Sequence, residues 1–225
     1  MSVFIKNKVT VRTSMLGTSA VIVQPEGEQN LDIQRQLWSM GQCVELWPDV
    51  QEVVFGMTNM MVVCHGPILR KEEFCSRLVW AWEKAEPAQS KSKIVEIPTI
   101  YGGEFAVDMQ AVMLRTGLSV PEIAQLHSEP LYDVFAVGSV PGFAYLGGMN
   151  PELFMPRKET PSLSIEKGSL TIGGMQTAIS ALTGPNGWNC IGFCDVDLFD
   201  ISKESPCFLT PGDQVKFVID RIEKR

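Results

Sequence analysis

Two hydrophobic periods alternate along the first part of the chain. Ala20-Val-Ile-Val23 is a short apolar run that reads as a strand, closed by the turn residues Pro25-Glu-Gly27. Asn30 has the side chain of a helix cap, and Ile33 and Leu37 fall on one face of a helix through about Met40, with Gly41 as its stop. Residues 50–57 and 60–64 are two further apolar runs around Thr58-Asn59, the pattern of a hairpin. Pro67 opens a second helix, in which Phe74, Leu78 and Trp82 share a face and Glu73 can pair with Arg77 on the other side. That helix ends near Glu86-Pro87, residues 88–93 are a polar connector, and Ile94–Ile97 resumes an extended pattern. The order strand, helix, strand, strand, helix, strand predicts an α+β N-terminal domain over residues 1–93, a ferredoxin-like split βαβ. Ile94–Ile97 could close its sheet or open the next domain.

From about residue 98 the pattern changes. Asp108 is placed to cap a short helix that Gly117 stops, and Ser119-Val-Pro-Glu122 is a capping box for a second helix to about His127. Short runs separated by Gly and Pro come next: residues 132–137, 169–172, 177–182, 189–193 and 215–219. Such spacing predicts a closed or nearly closed β-barrel over residues 94–225. Between the first two runs lies Gly138-Ser-Val-Pro-Gly-Phe-Ala-Tyr-Leu-Gly-Gly148. Pro141 sets φ for the first corner of a type II turn, Gly142 can take the positive φ of the second, and Phe143, Tyr145 and Leu146 are presented on a tight loop. Rings under that much backbone control are either a core plug or one wall of a site.

Charge narrows the possible partners. A net charge of −7 and a pI near 4.9 leave no basic stripe for nucleic acid. No apolar run reaches the length of a membrane span and the first residues lack a signal-peptide pattern. The six cysteines lie mostly within apolar runs, as in Val62-Val63-Cys64, so free buried thiols and a cytoplasmic location are expected. Cys190 and Cys194 have no further ligand nearby to make a zinc site, and no metal is expected.

Phosphate-loop, zinc-protease and nucleophile-elbow motifs are absent, and only His65 and His127 could serve as imidazole bases. His127 ends a helix, where the dipole favours its protonated form, or it simply bonds a carbonyl there. Glu104 beside Gly102-Gly103 has no evident structural task and is a candidate general base or a holder of an ammonium or amide group. Arg157, on the Pro-bracketed loop Met155–Pro161, could clamp a carboxylate or a phosphate bidentately, or be solvated. Trp188 is a second ring held on a turn, with Thr183 and Asn186 close by, and Gln176 and Thr177 follow the bend Gly173-Gly174.

The order of these loops carries more than any one of them. Tyr101-Gly-Gly-Glu104, Asp108, His127, Pro141-Gly-Phe143, Tyr145-Leu-Gly147, Pro156-Arg157, Gly168-Ser169, Gln176-Thr177, Gly187-Trp188 and Pro211-Gly-Asp213 resemble the allophanate hydrolase subunit 1, or KipI-like, family over residues 95–217. That family includes the B subunit of the ATP-dependent 5-oxoprolinase. The resemblance implies a cyclophilin-like β-barrel after an α+β domain. It also implies companion A and C subunits, ATP bound together with them, and the opening of 5-oxo-L-proline to L-glutamate. The implied site has Glu104, His127 and Arg157 as catalytic groups, with Pro141, Gly142, Phe143, Tyr145, Gln176, Thr177 and Trp188 against substrate. The KipI branch implies an alternative: an inhibitor that docks on a sensor histidine kinase, for which these rings would form an exposed patch. Three positions depart from the family pattern, with Ser162 and Phe193 where arginines are usual and Ser139 where an aromatic is usual. Activity could therefore be weakened or altered.

Overall fold

In a computed structural model, residues 9–27, 30–87 and 93–223 are described. The chain divides into two compact units, residues 1–90 and 91–225. The first unit holds β1 (Val11–Leu16), β2 (Ala20–Pro25), α1 (Leu31–Val44), β3 (Val50–Phe55), β4 (Met60–Cys64) and α2 (Lys71–Lys84). Its sheet has the order β1-β2-β4-β3, with each neighbouring pair antiparallel. Alternation along β2 and β4 buries Val21, Val23, Met60 and Val62, which cluster with Leu37, Met40, Phe74 and Leu78 of the helices.

A ferredoxin-like order needs a strand after the second helix, and Ile94–Ile97 does not supply one here. Those residues belong to the second unit, and the free edge of β2 is taken by β1. The sequence of β1, Val-Arg-Thr-Ser-Met-Leu, has no apolar run to mark it, and only its pairing with β2 makes it a strand. The cap at Asn30 forms, its side chain accepting from the Ile33 amide at 2.9 Å. Gly41 does not end α1. A Cβ there would lie 2.3 Å from the Phe55 ring, so the glycine allows close packing within the helix. α2 begins at Lys71, four residues beyond Pro67. Glu73 pairs with Arg70 at 3.2 Å and Arg77 with Asp49 at 2.9 Å, in place of the expected Glu73–Arg77 pair. The connector expected at 88–93 lies, except for Lys93, outside the described residues.

The second unit starts with β5 (Ile94–Gly102), α3 (Met109–Thr116), α4 (Val120–Ser128), β6 (Tyr132–Val137) and β7 (Ala144–Gly147). It continues with β8 (Ser162–Ile165), β9 (Ser169–Gly173), β10 (Gln176–Ile179), β11 (Gly184–Asn186), β12 (Asn189–Phe193) and β13 (Gln214–Glu223). Seven strands close a barrel in the order β10-β7-β6-β13-β5-β12-β9, sealed by the β9–β10 hairpin. This closed barrel is consistent with a cyclophilin-like architecture. β5 and β13 run parallel, and β8 and β11 form a separate two-stranded sheet. The Ser119–Glu122 capping box is present and Gly117 ends α3 at φ 75°. The turn before β7 also forms, with Gly142 at φ 79°. The residues after this turn make a barrel strand rather than a loop, and Leu146 sits in the core because it lies two residues after Ala144 on the inner face.

Candidate functional site

The Pro141-Gly142 turn and the segment before β12 bring three rings together. Asn186 accepts from the Trp188 amide at 2.7 Å, which fixes the turn that carries the indole. Beneath the indole Gly173 leaves no side chain; a Cβ there would lie 2.7 Å from the ring. Phe143 meets Tyr145 edge-on at 4.9 Å between centroids, and Trp188 lies 6.1 Å from Phe143 and 6.2 Å from Tyr145. The Arg157 guanidinium stands 5.6 Å over the Trp188 ring, a cation–π arrangement. These four side chains line a cleft of about 530 Å³, with Ser139, Lys158, Ser180, Thr183 and Asn186 also in its walls. The rings are turned into a concavity, not onto a convex face. Ser139 takes φ 73°, alone among the described non-glycine residues in that region, so the wall carries local strain.

Lys158 is a cleft residue that sequence reasoning does not single out. Its backbone amide donates to Gly187 O at 2.7 Å, tying the Arg157 loop to the Trp188 turn. Its Nζ donates to Asp108 Oδ2 at 2.8 Å and to Ser162 Oγ at 2.7 Å. Asp108 Oδ2 also accepts from the Cys190 amide at 2.9 Å. Asp108 therefore stands at the start of α3 without capping it through its side chain. Its carboxylate is used across fifty residues of chain, a partnership that no local pattern could reveal.

His127 has a different setting from the one expected of a catalytic group. It is completely buried, packed against Tyr101, Tyr132 and Phe217. Thr177 donates its only hydroxyl proton to Thr171 O at 3.0 Å, so it must accept from His127 Nε2–H at 2.9 Å. His127 Nδ1 is then an acceptor, and Tyr101 donates to it at 2.7 Å. The chain of bonds is closed and the imidazole neutral. Burial pushes its pKa down to about 3, which overrides the helix-end preference for the charged form. His127 and Thr177 thus lie inside the barrel, away from the cleft, where no substrate has access.

The remaining expected residues are dispersed. Glu104 is exposed and lines another depression with Phe105, Ser164 and Glu166. Phe105 stacks on Phe193 at 4.4 Å, so an aromatic pair occupies one of the positions where the resemblance implies an arginine. Pro141 is exposed at the turn, Gly142 is buried against Leu198, and Gln176 starts β10; none of the three lines the cleft. The six cysteines are free. Burial, with Asp108 adding to it, pushes the Cys190 thiol up to about 12, so it offers no thiolate. Among the described residues no His/Cys/Asp/Glu group could hold a metal ion, and no helix is long and apolar enough to cross a membrane.

Among the described residues, neither the ends of α3 and α4 nor the cleft makes a cradle for a nucleoside triphosphate. Asp108 and Glu122 put carboxylates at the N-termini of α3 and α4, where phosphate would otherwise be favoured. In the cleft, Lys158 is already neutralised by Asp108, which leaves Arg157 alone among the lining cations without a carboxylate partner.

Comparison with known proteins agrees with the resemblance. Residues 11–209 match the family described as carboxyltransferase domain, subdomain C and D. The chain is 36% identical over 207 residues to the B subunit of 5-oxoprolinase from Escherichia coli O157:H7, covering 92% of this chain and 95% of that protein. It is also 41% identical over 136 residues to the 5-oxoprolinase B subunit of Bacillus subtilis, covering 60% of this chain and 57% of that protein. Among solved structures, TTHA0988 is 28% identical with a TM-score of 0.74 over 92% of this chain, and this chain spans only 40% of its length. The urea amidolyase of Kluyveromyces lactis shares the fold at 18% identity, with a TM-score of 0.79 over 94% of this chain and 15% of its own.

Proposed function

We propose, for a chain that belongs to the carboxyltransferase-domain family, subdomain C and D, the role of the B subunit in a multi-subunit 5-oxoprolinase. The observation that carries this reading is the near end-to-end match to the Escherichia coli B subunit, 92% of one chain against 95% of the other. The reaction is the ATP-driven opening of the 5-oxo-L-proline lactam to L-glutamate. Lactam opening needs coupling to phosphoryl transfer, and ATP is assigned to the companion A and C subunits, because the cleft of this chain makes no triphosphate cradle.

Within that assembly the Phe143–Tyr145–Trp188 cleft is the part of this chain offered to a small ligand. The kinase-inhibitor alternative requires those rings on an exposed apolar patch, and their concave arrangement speaks against it. The test is to co-express the chain with candidate A and C subunits, purify the assembly, and follow glutamate release dependent on both ATP and 5-oxoproline. Release above background is expected; an assembled complex that releases none overturns the proposal.

A further inference from the structure

The charge pattern of the clefts is uneven. In a chain of net charge −7, the cleft holding the three rings is lined by Arg157 and Lys158 and by no carboxylate. The other depressions described each carry at least one, with Asp197, Glu104, Asp49 and Glu223 as examples. Asp108 neutralises Lys158 from behind at 2.8 Å, and no carboxylate among the described residues pairs with Arg157. A guanidinium over an indole, in an otherwise acidic protein, is a preformed partner for a planar anion.

A second observation points into the same place. Among the described residues, the hydroxyl of Ser180 is the buried side-chain polar atom without a hydrogen-bond partner. Ser180 is 4% exposed and stands in the cleft wall. A buried hydroxyl left unpaired is costly, and a serine side chain can turn among its staggered rotamers toward any group that would satisfy it. No described residue does so; a polar atom of a ligand in the cleft could.

We propose that the cleft is a site for a compact cyclic carboxylate, in which Arg157 pairs the carboxylate and Ser180 reads a polar ring atom. The Phe143, Tyr145 and Trp188 rings hold the ligand's apolar atoms. The assignment rests on the 5-oxoprolinase reading for its choice of probe, and makes Ser180 the residue that separates a lactam from a plain carbocycle of the same size.

Three probes test it by calorimetric titration of the full chain: 5-oxoproline, 2-pyrrolidinone (no carboxylate) and cyclopentanecarboxylate (no lactam). We expect 5-oxoproline to bind at least about tenfold more tightly than 2-pyrrolidinone, and Arg157→Met to erase that difference. Ser180→Ala should weaken 5-oxoproline roughly tenfold and leave cyclopentanecarboxylate unchanged. The same variant should melt no lower than the parent, since it removes an unpaired hydroxyl; a serine with only a structural task would show the reverse. Equal binding of 5-oxoproline and 2-pyrrolidinone, no carboxylate-dependent binding at all, or an unaltered lactam preference in Ser180→Ala overturns the proposal. Its failure is separable from that of the function. Glutamate release with KM unmoved by Arg157→Met sinks the site and keeps the enzyme. Arg157-dependent binding without glutamate release does the opposite.

Discussion

The barrel interior around His127 and the cleft around Trp188 are built from similar parts: aromatic rings, hydroxyls and basic side chains. They differ in how their polar atoms are used. Inside the barrel the bonds close on themselves, from Tyr101 to His127 to Thr177 to the Thr171 carbonyl. In the cleft, among the described residues, Ser180 Oγ has no hydrogen-bond partner and Arg157 faces a ring with no carboxylate paired to it. A saturated polar network rigidifies a core and has nothing left to offer a ligand. An unsaturated one beside a concavity has.

The contrast is broken most forcefully at His127. His127→Ala should empty a ring-sized volume and orphan both the Tyr101 hydroxyl and the Thr177 hydroxyl acceptor. The expected loss is roughly 3–5 kcal/mol of barrel stability, read by urea unfolding. A loss under about 1 kcal/mol would mean that the network is not structural. The same residue sets a pH dependence. Its folded pKa is about 3 against an ordinary 6.5, so between those values the unfolded chain binds one proton more than the folded one. The contribution is complete above pH 6.5 and declines as pH falls, by about 1.4 kcal/mol per pH unit. Unfolding curves between about pH 6 and pH 4.5 should show that slope, and His127→Gln should remove it.

These two regions were not equally legible. Features that depend on neighbours in sequence could be read: the Asn30 cap, the Ser119–Glu122 box, and the Gly142 corner that presents Phe143. The barrel itself follows from runs of apolar residues spaced by Gly and Pro. Strands such as β1, β8 and β11 could not be read, because they carry no apolar run and exist only through their pairing. The aromatic side of the cleft was visible because Gly/Pro turn chemistry is local. Lys158 and Ser180 were not, since one is defined by a carboxylate fifty residues away and the other by the lack of any partner. His127 was misleading for the same reason: the end of α4 suggested a charged imidazole, and burial by distant strands made it neutral.

Lys158 sharpens the comparison at intermediate cost, because it forms an ion pair with Asp108 behind the cleft. Its side chain and that of Asp108 are 15% and 18% exposed. Lys158→Met should leave the Asp108 carboxylate with the Cys190 amide alone, at a cost of about 1–3 kcal/mol. Adding Asp108→Asn should recover part of that loss, since the remaining group is then uncharged. A double-mutant cycle with no coupling between the two positions would show the pair to be incidental.

The smallest expected change in stability is also the most local test of the cleft. Gly173 has no positive φ, so alanine suits its backbone, and the nearest obstacle is the Trp188 ring that a Cβ would meet at 2.7 Å. Gly173→Ala should therefore cost about 1–2 kcal/mol, within the range for overpacking, while pushing the indole toward the cleft. Trp188 is the only tryptophan of the second unit. With the tryptophans of the first unit replaced by phenylalanine, its emission reports the displacement directly. The expected signature is a shifted emission and weakened ligand binding in a protein whose barrel melts nearly as before. If the barrel network and the cleft were one cooperative structure, the substitution would instead lower barrel stability as His127→Ala does. An unshifted spectrum would mean that the indole is not held by the glycine beneath it.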